Sequence, residues 1–230
     1  MASRRYCRMP RTSIACSYTV TAPPSPISIN AESAHRKSSI TCESVTRPAR
    51  LRGWLMEMGH PLAVLSQAGL VTAAGYDAYM RRIVFPLEGN LYGRSISASA
   101  PPHRFLPGSK GGLYRWDEVR RYREVILVEG LFDYAVLWQA GFPNVTCGMG
   151  THLNRHQLWQ LSCHRTVYLA LDADSNGSGQ QAAQSLANRL RKQGLSARIV
   201  SLPEGHDPNS WFVQGGDARQ FQSLLENAQP

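Results

Sequence analysis

At 230 residues the chain is long enough for one substantial core and a small accessory unit, and too short for two large domains. Its 43% hydrophobic and 18% charged composition excludes a fibrous or wholly low-complexity protein. Lysine and arginine number 25 against 16 acidic residues, a formal charge of +9 that favours anionic partners, although residues 1–50 alone carry +6 of it.

Residues 1–50 are rich in Ser, Thr, Pro and Arg and show no sustained periodicity. They are predicted to be a disordered basic leader, unable to bury enough apolar surface to offset ordering. Its arginines, serines and few acids also match an organelle transit segment, against which Pro23, Pro24 and Pro26 interrupt any amphipathic helix. Residues 51–122 read as a small α+β subdomain. Trp54–Met58 and Leu62–Leu70 are predicted helices, and Arg81–Pro86 and Leu91–Ile96 predicted strands joined by the Glu88-Gly-Asn90 turn. Residues 97–112 form a Pro/Gly-rich connection that carries His103, Arg104 and Lys110.

From residue 123 to 230 the pattern is more regular. Val125–Val128 is a continuous apolar run, as expected of a strand buried on both faces. A helix is predicted from Asp133 to Gln139, a short strand over Val145–Cys147 and a helix near Asn154–Leu161. Then come a strand over Thr166–Leu171, a long helix over Ser178–Lys192 ended by Gly194, a strand over Ala197–Leu202 and a helix over Ala218–Leu225. Strands alternating with helices predict an α/β fold, a parallel sheet covered by helices on both faces.

In such a sheet, functional groups collect beyond the carboxyl ends of the strands. Glu129 directly follows the first buried strand, and Asp172 and Asp174 follow the third. The i,i+2 spacing puts both aspartates on one side of an extended segment. Adjacent parallel strands lie about 5 Å apart, so the three carboxylates can reach one or two hard cations if their strands are neighbours. Crowded carboxylates raise one another's proton affinity unless a cation such as magnesium offsets the charge. Asp133, in the first turn of the next helix, is a candidate either to cap it or to orient a metal-bound water. The Gly177-Ser-Gly179 turn lacks the lysine of an ATP-binding phosphate loop.

Val128-Glu-Gly-Leu-Phe-Asp133 and Leu171-Asp-Ala-Asp-Ser-Asn-Gly177 resemble the Toprim domain of bacterial DnaG-type primases. Cys147-Gly-Met-Gly-Thr151 is similar to the turn between those motifs, and Leu202-Pro-Glu-Gly-His-Asp-Pro-Asn-Ser210 to the distal acidic motif. Arg82–Pro86, Arg104–Leu106 and Lys110–Tyr114 resemble the small N-terminal subdomain of the primase core, so the resemblance spans roughly residues 60–220. It implies a Toprim, Rossmann-like sheet and synthesis of short RNA primers on single-stranded DNA from nucleoside triphosphates. By the same resemblance, Glu129 is the central catalytic glutamate and Asp172 and Asp174 are the paired catalytic and metal-binding aspartates. Asp133 and Asp207 are further acids of the metal site, and Arg82, Arg104 and Lys110 hold nucleotide or template. Magnesium is the implied cofactor, with manganese as an alternative, and a replicative helicase or a separate zinc-binding module is an implied partner. Asn209 departs from the family pattern, standing where many primases have another aspartate. A Toprim-type nuclease and a catalytically inactive nucleic-acid-binding replication protein are the alternatives.

Five cysteines without a Cys-x-x-Cys pair argue against a disulfide framework or ribbon-type zinc site, and suit a reducing, cytoplasmic setting. His152, His156, Cys163 and His164 lie close in sequence and are a minor zinc candidate. No stretch has the 18 or so apolar residues of a membrane span, so no membrane partner is expected.

Overall fold

The computed structural model describes residues 51–150, 152–173 and 177–230. The predicted leader at 1–50, its targeting role and Asp174 lie outside the described residues.

Helices α1 (Leu51–Glu57) and α2 (Leu62–Gln67) come first. The Asp77 carboxylate accepts hydrogen bonds from the backbone N–H groups of Leu51 at 3.0 Å and Arg52 at 2.8 Å, satisfying donors that the first turn leaves open. Strands β1 (Arg82–Leu87) and β2 (Asn90–Ser95) pair antiparallel through the tight Glu88-Gly89 turn, where Gly89 takes φ +72°. A third strand, β3 (His103–Phe105), pairs antiparallel with β2 inside the segment predicted to be a plain connection. Three residues are too few to show alternation, and only pairing with β2 makes this segment a strand.

Short helix α3 (Trp116–Val119) leads into the second half, which contains β4 (Glu124–Val128), α4 (Leu131–Gln139), β5 (Val145–Cys147) and α5 (Arg155–Leu161). Then follow β6 (Thr166–Ala170), α6 (Ser178–Lys192), β7 (Ser196–Ile199), α7 (Pro208–Val213) and α8 (Ala218–Glu226). The predicted last strand stops at Ile199 instead of reaching Leu202. There the chain leaves the sheet toward the distal acidic motif, and Ile199 instead bridges Gln229. Helices α3 and α7 carry no periodic signal, because four and six residues are too short to display a helical stripe.

The four strands of the second half form a wholly parallel sheet in the order β5-β4-β6-β7. Ile126 and Val128 pack on one side with Leu131 and Leu137 of α4 and Phe221 of α8. Val125 and Leu127 point the other way, toward Leu161 of α5 and Leu186 and Leu190 of α6. This two-sided burial explains the uninterrupted apolar run of β4. The antiparallel sheet shares the first of these cores, with the Phe85 ring 5.6 Å from Phe132 and 6.5 Å from Tyr114. The fold is therefore a helix-flanked parallel sheet preceded by a small antiparallel α+β subdomain. No helix among the described residues is long and apolar enough to cross a membrane.

Candidate active site

Four sequence motifs meet at the carboxyl end of the parallel sheet. Strands β4 and β6 are immediate neighbours, with Val128 paired to Ala170, so Glu129 and Asp172 leave adjacent strands at nearly the same height. The glycine turn after β5 is tied to Glu129, whose backbone carbonyl accepts from Gly150 N–H at 3.0 Å and from the Cys147 thiol at 3.1 Å. The distal motif is tied to the end of β6. Ala173 N–H donates to the His206 carbonyl at 2.9 Å, and Gly205 N–H to the Ala173 carbonyl at 2.6 Å.

Asp133 joins the first motif to the distal one. One carboxylate oxygen accepts from Gly130 N–H at 3.0 Å, at the start of α4, and the other from Asn209 N–H at 3.1 Å. The capping role is thus visible in the structure. The side chain of Asn209 is not what makes that link, so asparagine at this position preserves it. Asp207 caps α7, its Oδ1 accepting from Ser210 N–H at 2.5 Å.

Asp133 is buried, and its carboxyl is pushed up to about 6, first by desolvation and then by repulsion from Asp207 and, more weakly, Glu129. The two backbone donors offset only part of this. The folded value lies above the ordinary aspartate value near 4, so the stabilising contribution of the protonated form is complete below about pH 4. It is lost as pH rises through about 6. Two units correspond to ~3 kcal/mol. In the presence of a chelator, the unfolding free energy of wild type relative to Asp133→Asn should fall by about that amount between pH 4 and 7. A pH-independent difference would contradict the assigned cause.

Glu129, Asp133, Asp172 and Asp207 offer only oxygen donors, the set that magnesium or manganese prefers. The part of the raised proton affinity of Asp133 that comes from Asp207 and Glu129 is like-charge repulsion, which a nearby cation would offset. The donor chemistry therefore fits a hard divalent ion. Among the described residues no three His, Cys, Asp or Glu side chains gather closely enough to hold one, and Asp174 lies outside those residues. His152, His156, Cys163 and His164 also form no such group. His164 is buried with Nδ1 2.7 Å from the Tyr122 carbonyl, whereas His156 and Cys163 are exposed.

The structure divides the predicted basic residues between the two faces of the antiparallel sheet. Arg82 is buried, and its Nη1 donates to the Gly93 carbonyl at 3.2 Å, which makes it a brace inside the subdomain. Arg104, paired opposite Gly93, shares that face and lies 5.8 Å from the Tyr79 ring centre. Its Nε is buried and meets no acceptor among the described residues. Lys110 is on the other side, its ammonium 4.6 Å from the Phe105 ring centre.

That second face carries a basic residue, Arg94, that no sequence motif marks. Arg94 Nη1 lies 3.0 Å from His103 Nε2, and His103 Nδ1 lies 2.9 Å from the Tyr92 hydroxyl. Burial first, then the charges of Arg94, Lys110 and Arg82, push His103 below its usual range. One core cluster holds both Cys147, whose thiol bonds Glu129, and Tyr92, whose hydroxyl meets His103. The one signal in the sequence is the i,i+2 spacing of Tyr92 and Arg94, in a strand whose partner β3 has no signature of its own.

Lys110–Tyr114 is seated by two buried glutamines of α5. Gln160 Oε1 accepts from Leu113 N–H at 2.6 Å, and Gln157 Nε2 donates to the carbonyls of Gly112 and Gly148 at 3.3 and 3.1 Å.

Comparison with known proteins agrees with this arrangement. Residues 126–212 match the Toprim-like family model. The DNA primase of Clostridium acetobutylicum is 29% identical over 197 residues, covering 78% of this chain and 33% of the relative. A Staphylococcus aureus DNA primase is 27% identical over 195 residues, covering 76% and 32%. The chain thus spans about a third of the length of these curated relatives. The zinc-binding and RNA polymerase domains of Aquifex aeolicus primase superpose with a TM-score of 0.64 at 28% identity, covering 76% of this chain and 48% of that one. A DnaG primase catalytic domain bound to single-stranded DNA has the same fold, with a TM-score of 0.62 at 23% identity, covering 75% and 62%. The chain carries a Toprim domain that matches the catalytic core of bacterial DnaG-type primases.

Proposed function

We propose that this chain acts on nucleic acid as a metal-dependent, primase-type nucleotidyltransferase, joining ribonucleotides into short primers on single-stranded DNA. The observation that carries this reading is that strand pairing and the distal-motif contacts set Glu129, Asp133, Asp172 and Asp207 at the same end of the parallel sheet, with a basic antiparallel sheet packed beside it. The matched primases, and the DnaG domain bound to single-stranded DNA, support the same class.

Glu129, Asp172 and Asp174 would hold magnesium or manganese, with Asp133 and Asp207 shaping the surrounding charge. When bound, such an ion neutralises charge developing on the reacting phosphoryl group. The protein's own residues then divide the remaining work. Glu129 accepts or orients the proton of the attacking 3′-hydroxyl. Arg104 adds positive charge to one face of the antiparallel sheet, and Lys110 and Arg94 attract the polyanion on the opposite face. The Phe105 ring seats Lys110, and His103, which meets the Tyr92 hydroxyl, seats Arg94. A replicative helicase or a zinc-binding module would supply template choice.

The test is incorporation of labelled ribonucleotides on unprimed single-stranded DNA with magnesium or manganese. Short products formed by wild type and lost in Glu129→Gln are the expected outcome. A folded, DNA-binding protein that makes no product with either metal would overturn autonomous primer synthesis.

A further inference from the structure

The exposed face of α5 bears Arg155, His156 and Trp159 within four residues of one another, so they occupy successive turns of one side. Trp159 is 60% exposed, unusual for the largest apolar side chain. Its indole already stacks on the His156 ring, with centroids 5.9 Å apart and planes inclined by 17°. Beneath it, α5 is fixed by the buried Leu158, Leu161 and Gln160, so the platform sits on a rigid support.

Two arginines lie at the end of the sheet to which α5 leads. Arg123 and Arg165 immediately precede β4 and β6, and the backbone N–H of Arg165 donates to the Arg123 carbonyl at 2.7 Å. Both lie at bends just before their strands, at the end of the sheet where the chain passes from α5 into β6. Both are exposed, and among the described residues neither forms an ion pair, whereas nearby Asp117 and Glu118 pair with Arg120 and Arg115. Like charges set opposite one another repel, and a bound anion would offset that repulsion. At the opposite end of α5, Asn154 Nδ2 donates to the Gly111 carbonyl at 3.3 Å, next to Lys110. α5 therefore spans from the basic edge of the candidate active site to the end of the sheet that carries the arginine pair.

We infer that this face is a second contact surface for single-stranded nucleic acid, with Trp159 and His156 stacking on a base and Arg155, Arg123 and Arg165 holding the backbone. It deepens the nucleic-acid reading above and rests on it. A strand engaged at Lys110 would continue along α5, away from the acidic site. Aromatic platforms flanked by cations suit single strands because every base offers a π face.

The test is fluorescence anisotropy of labelled oligothymidylate, and of an abasic oligonucleotide of equal length, on the full chain. Trp159→Ala should raise the Kd for oligothymidylate about 5- to 100-fold and leave abasic binding and Tm unchanged, while Trp159→Phe retains most of the affinity. The double variant Arg123→Ala/Arg165→Ala should weaken both ligands and reduce the salt slope by about 1.4. Wild-type binding with an unchanged Kd in Trp159→Ala would overturn the surface and spare the primase reading. If that variant instead dissociates a wild-type dimer, the platform is a protein interface and the proposal fails. Failure of wild type to bind either oligonucleotide would overturn both readings.

Discussion

Glu129→Gln is expected to lower ribonucleotide incorporation by about 10²- to 10⁴-fold while Tm stays equal or rises. The amide preserves the shape of the side chain. It also leaves intact the bonds that the Glu129 backbone carbonyl accepts from Gly150 and Cys147. What disappears is one negative charge, which serves proton transfer or metal binding in the reaction but repels Asp133 in the resting protein. Catalysis and stability therefore move in opposite directions. Single-turnover incorporation and a thermal melt on the same preparation separate the two effects. Activity within a few fold of wild type would remove Glu129 from the reaction.

Gly179→Ala is expected to cost about 1–3 kcal/mol of stability and about 10²-fold in activity. Gly179 lies in the first turn of α6, and a Cβ there would overlap the Asp172 carbonyl oxygen. That neighbour is backbone, so no rotamer change relieves the clash; α6 or the segment carrying Asp172 has to move. Gly177→Ala is the control. Gly177 has φ +72° but open space around a built Cβ, so its cost is conformational strain of about 1–2 kcal/mol without pressure on Asp172. Equal activity losses in the two variants would show that α6 packing does not position Asp172.

Much of the second half is legible in contiguous stretches of sequence. β4, β5, β6 and α6 follow from runs and periodicities of neighbouring residues, and Glu129 and Asp172 fall at the strand ends where the pattern puts them. Asp133 is ambiguous in the sequence because a cap and a metal-site acid need the same residue in the same turn. Only the approach of Asn209, 76 residues away, shows that both carboxylate oxygens meet backbone donors. Arg82, Arg104 and Lys110 read alike as basic residues, yet burial against Gly93, an unsatisfied Nε and a perch over Phe105 give them three different environments.

By itself the sequence determined the identity and local setting of the acids, the alternation of strands and helices, and the resemblance to the primase core, because each is written in neighbouring residues. Tertiary structure alone decided that β4 lies beside β6, that β3 exists, and that Arg94 joins His103 and Tyr92 in one hydrogen-bonded row. Those outcomes depend on which distant segments pair and on how much water each side chain loses when they do. Neither pairing nor desolvation belongs to any one stretch of chain.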